Sequence, residues 1–200
     1  MDRREFLSGL VIYGGATVLA STSIPLVEYI DLPGFFKYQT GRTKNSIASV
    51  VAGLVGQKLY GNSEINLEIQ KKFFPDARVT GHTTPSSVDT YVDLALTSAR
   101  FIAQKNELGS LEGEVHKSEI NWKVKQISED SYKIARWGPK FDGILKLKLE
   151  NDNILGLYIR KGSHFDWKVK GKHNHNGDTK IEIDGPLNLG IILEGKITKK

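Results

Sequence analysis

From Leu111 onward, apolar and polar side chains alternate with a period of two, the spacing at which strand residues share a face. Segments 111–116, 119–127, 131–137, 143–150, 154–160, 163–170, 179–184 and 189–198 each read as strands. Ser128-Glu129-Asp130, Gly138-Pro139, Asn151-Asp152-Asn153, Lys161-Gly162, Asn176-Gly177-Asp178 and Asp184-Gly185-Pro186 supply turn residues between them. Connections this short join antiparallel neighbours, so the pattern predicts a meander of about eight strands. One face collects Ile120, Trp122, Val124, Leu145, Leu147, Leu149, Leu155, Leu157, Ile159, Phe165, Trp167, Val169, Ile181, Ile183, Leu189, Ile191 and Leu193. The other collects Lys123, Lys125, Lys146, Lys148, Lys168, Lys170, Lys180 and Glu182. Strand 131–137 is irregular, with Tyr132 and Ile134 on one face and Ala135 and Trp137 on the other. A sheet with one apolar and one charged face hides the apolar side by closing into a barrel or by curling strongly.

Upstream the period is 3.6. Ile47, Val50, Val51, Leu54 and Val55 fall on one side of a helix over 46–60, with Asn45 and Ser46 as caps and Gly61 as its stop. Thr84-Pro85-Ser86-Ser87-Val88-Asp89 reads as a helix start, with Ser86 and Asp89 as a capping box. Val88, Tyr91, Val92, Ala95, Ala99 and Ile102 extend that helix over 86–104. Between them, Glu64 to Phe74 fits either period. The expected class is α+β: one domain over 46–200, with helices 46–60 and 86–104 before strands 111–198, and a linker or irregular extension over 21–45.

The first residues, Met1-Asp2-Arg3-Arg4-Glu5-Phe6-Leu7-Ser8, resemble a twin-arginine (Tat) signal peptide. Arg3, Arg4, Phe6 and Leu7 occupy its defining positions; Asp2 and Ser8 depart from the flanking ones. An apolar stretch from Leu10 to Leu19 follows, and Val18-Leu19-Ala20 suits cleavage before Ser21. The resemblance implies that 1–20 is a signal read through Arg3 and Arg4 by the twin-arginine machinery. The mature chain is then periplasmic or extracellular. Ile24, Leu26 and Val27 continue the apolar character and leave an uncleaved anchor as the alternative. No family is recognised in the mature chain.

The 200 residues contain no cysteine, which excludes disulfides, thiolate metal sites and thiol-linked haem. The net charge of +5 is spread along the strands, as on a solvated face. Neither it nor any motif points to nucleic acid.

Candidate chemistry is sparse. His164, Asp166, His173 and His175 have residue types that can hold a divalent metal and support hydrolysis; a polar hairpin on the outer face is the plainer account of them. His82, Ser86 and Asp89 contain the types of a nucleophilic triad, but capping explains Ser86 and Asp89. Glu112, Glu114 and Glu119 fit solvated strand positions. Trp122, Leu147, Leu157, Phe165 and Trp167 on the apolar face either fill a solid core or line a lipocalin-like site for a small apolar molecule or lipid. With a solid core, an envelope partner would be met by the charged exterior or residues 28–80. No cofactor is specified.

Overall fold

The computed structural model describes residues 35–70, 77–93, 98–116, 122–135, 143–160, 166–185 and 190–200. Residues 1–20, expected to be a signal segment, most of the expected extension 21–45, and Glu119, Ile120, Trp137, His164, Phe165 and Leu189 lie outside them. Lys44–Lys200 forms one compact unit. Its described residues form the C-terminal part of helix α1 (Phe35–Tyr60) and twelve strands; the helix begins at Phe35, so Asn45 and Ser46 are interior positions and not caps, and the extension expected to be irregular up to 45 is helical from Phe35. The strands are β1 (Ser63–Gln70), β2 (Ala77–Thr83), β3 (Ser87–Asp93), β4 (Ala99–Lys105), β5 (Leu111–His116) and β6 (Trp122–Ser128). They continue with β7 (Ser131–Ala135), β8 (Gly143–Glu150), β9 (Asn153–Arg160), β10 (Trp167–His173), β11 (Asp178–Asp184) and β12 (Ile191–Lys199).

Each strand pairs antiparallel with its sequence neighbours, and β12 closes on β1 from Ser63↔Lys199 to Gln70↔Ile192. The meander expected from Leu111 onward is present, and four further strands, β1–β4, complete a closed barrel. The ambiguous segment after Glu64 is a strand whose Ile65, Leu67 and Ile69 point inward.

The helix expected over 86–104 is instead the hairpin β3–β4. Val88, Thr90 and Val92 are buried in alternation, as are Ala99, Phe101 and Ala103. A threonine on the inward face disguises the period of two. Thr84 and Ser87 exchange backbone hydrogen bonds in both directions, so Pro85-Ser86 is a two-residue hairpin loop and not a helix cap.

Strand number decides what fills the interior. Eight strands make a barrel that side chains alone can fill. Twelve, spaced about 4.8 Å and tilted about 40°, give a backbone radius of about 12 Å. The space left inside the inward side chains suits an α-helix, which is about 10–12 Å across with its side chains. Helix α1 takes that space. From Ser46 to Val55 the chain is apolar or small all round, and Ser46, Ala48, Ser49, Val50, Val51, Ala52, Leu54 and Val55 are fully buried. An amphipathic helix lying on a sheet would show a wet side.

Close approach comes from small residues on one face of α1. A Cβ on Gly53 would come within 2.5 Å of Val88 Cγ1, and one on Gly56 within 2.8 Å of Ile65 Cδ1 and Ser63 Oγ. Thr90 Oγ1 donates to the Ser49 carbonyl at 2.8 Å, so the buried hydroxyl is satisfied against the helix backbone.

Candidate functional site

The last turn of α1 is tied to the barrel end where β1 begins, at points spread around the ring. Gln57 Nε2 donates to the Thr84 carbonyl in the β2–β3 turn at 3.3 Å. The Lys58 ammonium bonds the Glu129 carbonyl and the Asp130 carboxylate in the β6–β7 turn. Tyr60 reaches His173 at the end of β10. These attachments are about four strands apart in a twelve-strand ring, so the helix end is centred by a tripod.

The third leg is a directed chain. Thr179 Oγ1 donates to the Gly177 carbonyl at 3.0 Å and therefore accepts from His173 Nδ1 at 2.8 Å. With its proton on Nδ1, His173 accepts from the Tyr60 hydroxyl at Nε2, 2.7 Å away. Both ring nitrogens are engaged by a neutral imidazole. Burial pushes the His173 pKa down, opposed by the nearby charges of Asp152 and Asp178.

Stability should depend on pH through this group. The folded-state pKa lies below the unfolded one, so the unfolded chain binds the extra proton first. Stability from His173 is full above the ordinary histidine pKa and declines as pH falls towards the folded value. Urea denaturation between pH 7.5 and 5 should show the advantage of the wild type over His173→Gln shrinking with acidification. A constant difference would mean that His173 does not titrate with folding.

An open cleft of about 520 Å³ lies beside this network, lined by Asp152, Lys172, His173, Asn174, Asp178, Lys180, Glu194 and Lys196. A second, of about 560 Å³, borders Gln57, Lys58, Asp130 and Tyr132. There the Tyr132 hydroxyl is pushed up to about 12, chiefly by burial and then by the charges of Asp130 and Glu129. It remains protonated and is no base at neutral pH.

The metal-type residues do not assemble. Asp166 is exposed just before β10, whereas His173 ends that strand on the inside; seven positions of strand separate them by about 23 Å. His175 is exposed in the β10–β11 turn, and His164 lies outside the described residues. Among the described residues, no group of three histidine or acidic side chains is placed to hold a metal ion. Of the triad types, His82 stands directly opposite Asp89 across β2–β3, but Asp89 is engaged by arginine and Ser86 lies in the hairpin loop. Arg100 binds both Asp89 oxygens, at 2.9 and 2.6 Å, and lowers the Asp89 pKa. Ser86 Oγ lies beside Thr84 Oγ1 at 3.3 Å in the hairpin loop. Glu112 is held by Lys125 and Asn106, with Glu114 half-buried on the same strand.

Of the aromatic and aliphatic candidates, Trp122, Leu147 and Trp167 point inward and are buried. Leu157 does not. In β9 the buried residues are Ile154 and Tyr158, while Leu155, Leu157 and Ile159 face outward, which corrects the facing expected for that strand. Inward, Tyr158 covers Gly143, and Leu147 and Val169 lie over Gly156.

The outer wall gains a feature that sequence reading missed. On β9, Leu155 stands between Lys148 and Lys170, and Leu157 between Lys146 and Lys168. Ile159 stands beside Ile144, which is itself opposite Lys133. An apolar strip thus runs up one side of the barrel between rows of lysines. Leu155 is 43% exposed, Ile144 and Ile159 39% each. Among the described residues, Lys146, Lys168 and Lys170 have no carboxylate in ion-pair range.

Comparison with protein-family models, curated proteins and solved structures finds no match for this chain.

Proposed function

We propose that this chain is an exported, solid-cored β-barrel that acts as an interaction module of the cell envelope through its outer wall. The observation that carries the reading is α1. The volume in which a lipocalin-like carrier would hold its ligand is taken by a helix buried on every side, from Ser46 to Val55. Trp122, Leu147 and Trp167 then serve packing, and a lumenal lipid would have to displace the helix. Among the described residues, the polar clefts near Lys58 and His173 show no assembled acid–base or nucleophilic set, which favours contact over turnover. Export is supported by Arg3-Arg4 followed by Phe6-Leu7.

Two measurements test this. Replacing Arg3 and Arg4 by lysine should hold the precursor in the cytoplasm; unchanged export would remove the envelope from the proposal. Organic extraction of the purified protein should release no stoichiometric lipid or apolar metabolite. A one-to-one ligand lost on Leu147→Ala or Trp167→Ala would restore the carrier reading and overturn this one.

A further inference from the structure

We infer that the strip on β8–β10 docks on the surface of an anionic phospholipid membrane. This rests on the outer-wall reading above and names the partner for one part of that wall. Three properties of the strip point the same way.

The first is its composition. Leu155, Leu157, Ile159 and Ile144 are contiguous outward neighbours, not scattered single side chains. Contiguous exposed apolar residues mark interaction surfaces. The second is charge. Lys146 and Lys168 flank Leu157, Lys170 and the Glu150-paired Lys148 flank Leu155, and Lys133 is next to Ile144, with Asp184 and Glu182 one strand further out beside Lys168 and Lys170. Their aliphatic stems can lie along the leucines while the ammonium groups reach outward past them. Apolar tips between cationic heads match a layer of phosphates above acyl chains.

The third property is shape. The strip lies on the convex outside of a closed barrel with a radius of about 12 Å. Its backbone is fully paired with β8 and β10, so no edge is open to an added strand. A convex ridge meets a yielding, extended partner better than a folded peptide. Embedding need only be shallow, with the tips of four side chains among the headgroups.

The test compares full-length variants by co-sedimentation with two vesicle types, phosphatidylcholine alone and a mixture with about 30% phosphatidylglycerol, a content that gives a clear negative surface potential. All variants carry the same N-terminal segment, so any binding through it cancels. Wild type should bind the anionic vesicles at least about tenfold more tightly than the neutral ones, given roughly fivefold per engaged lysine. Lys168→Gln/Lys170→Gln and Leu155→Ser/Leu157→Ser should each lose about tenfold or more. Lys125→Gln/Lys196→Gln removes the same charge about three strands away on either side and should lose less than about threefold. All these positions are on the surface, and matching melting temperatures would establish that each variant is folded.

Equal binding to both vesicle types overturns the inference. So does an equal loss in the control pair, which would make the attraction a property of net charge. Capture of a soluble acidic protein by the strip, without vesicle binding, also overturns it in favour of a protein partner. In any of these cases the exported, solid-cored module would stand if arginine-dependent export and a ligand-free core were found.

Discussion

Gly53→Leu should leave no folded protein. The expected result is an insoluble or protease-sensitive chain, read by soluble yield and by the loss of a cooperative melt. A single added Cβ would already lie 2.5 Å from Val88 Cγ1 and 3.1 Å from Thr90 Oγ1. Leucine adds three further carbons where the barrel wall cannot retreat without breaking its closure. The smaller change is more instructive. In an exposed helix, Gly→Ala stabilises by about 1 kcal/mol. Here overpacking costs about 1–3 kcal/mol, so Gly53→Ala should destabilise on balance. Val88→Ala leaves a gap at the same spot, and the double variant should recover most of the loss caused by Gly53→Ala. A stabilised Gly53→Ala would mean that the helix does not lie against β3.

Leu147→Asp and Leu157→Asp should differ more than any other matched pair on neighbouring strands. Leu147 is fully buried, and aspartate there would be an unpaired charge in an apolar core; a loss above about 4 kcal/mol is expected. Leu157 is half-exposed between Lys146 and Lys168, so aspartate gains two cationic neighbours and should change stability by less than about 1 kcal/mol. Chemical denaturation of the two proteins decides the point. Similar losses would reverse the facing of β9 and dissolve the apolar strip.

β9 shows where sequence reading reaches its limit. Its two faces carry Ile154, Gly156 and Tyr158 on one side and Leu155, Leu157 and Ile159 on the other. Alternation alone favours the second set, which is uniformly aliphatic. The inward set is chosen by tertiary fit, with a glycine making room for Leu147 and Val169 and a tyrosine filling the space over Gly143. The flanking strands were legible because lysine marks their outer face at nearly every second position. β3 and β4 were not, because Thr90 faces inward and Ala99 and Ala103 are too small to signal burial. Losing those strands hid the barrel's size, and with it the role of α1. Its all-round apolar sequence was readable, but a helix needs a wide lumen before it can be a core. The polar residues were visible singly. His173 stood out by type, yet its partners Tyr60 and Thr179 meet only through the fold.

The seam between β1 and β12 also bears on how the protein is made. Ser63 pairs with Lys199, so the wall is sealed by residues from opposite ends of the strand sequence. Every other pairing in the ring is between sequence neighbours and can form as the chain emerges. This one spans the largest sequence separation of any strand pair in the ring and is the kind of contact that forms slowly. Until β12 has been synthesised and docked, β1 and β11 each present an open edge, and the apolar lining is accessible to other chains. Closure by β12 removes both edges at once and shuts the lining away from other chains.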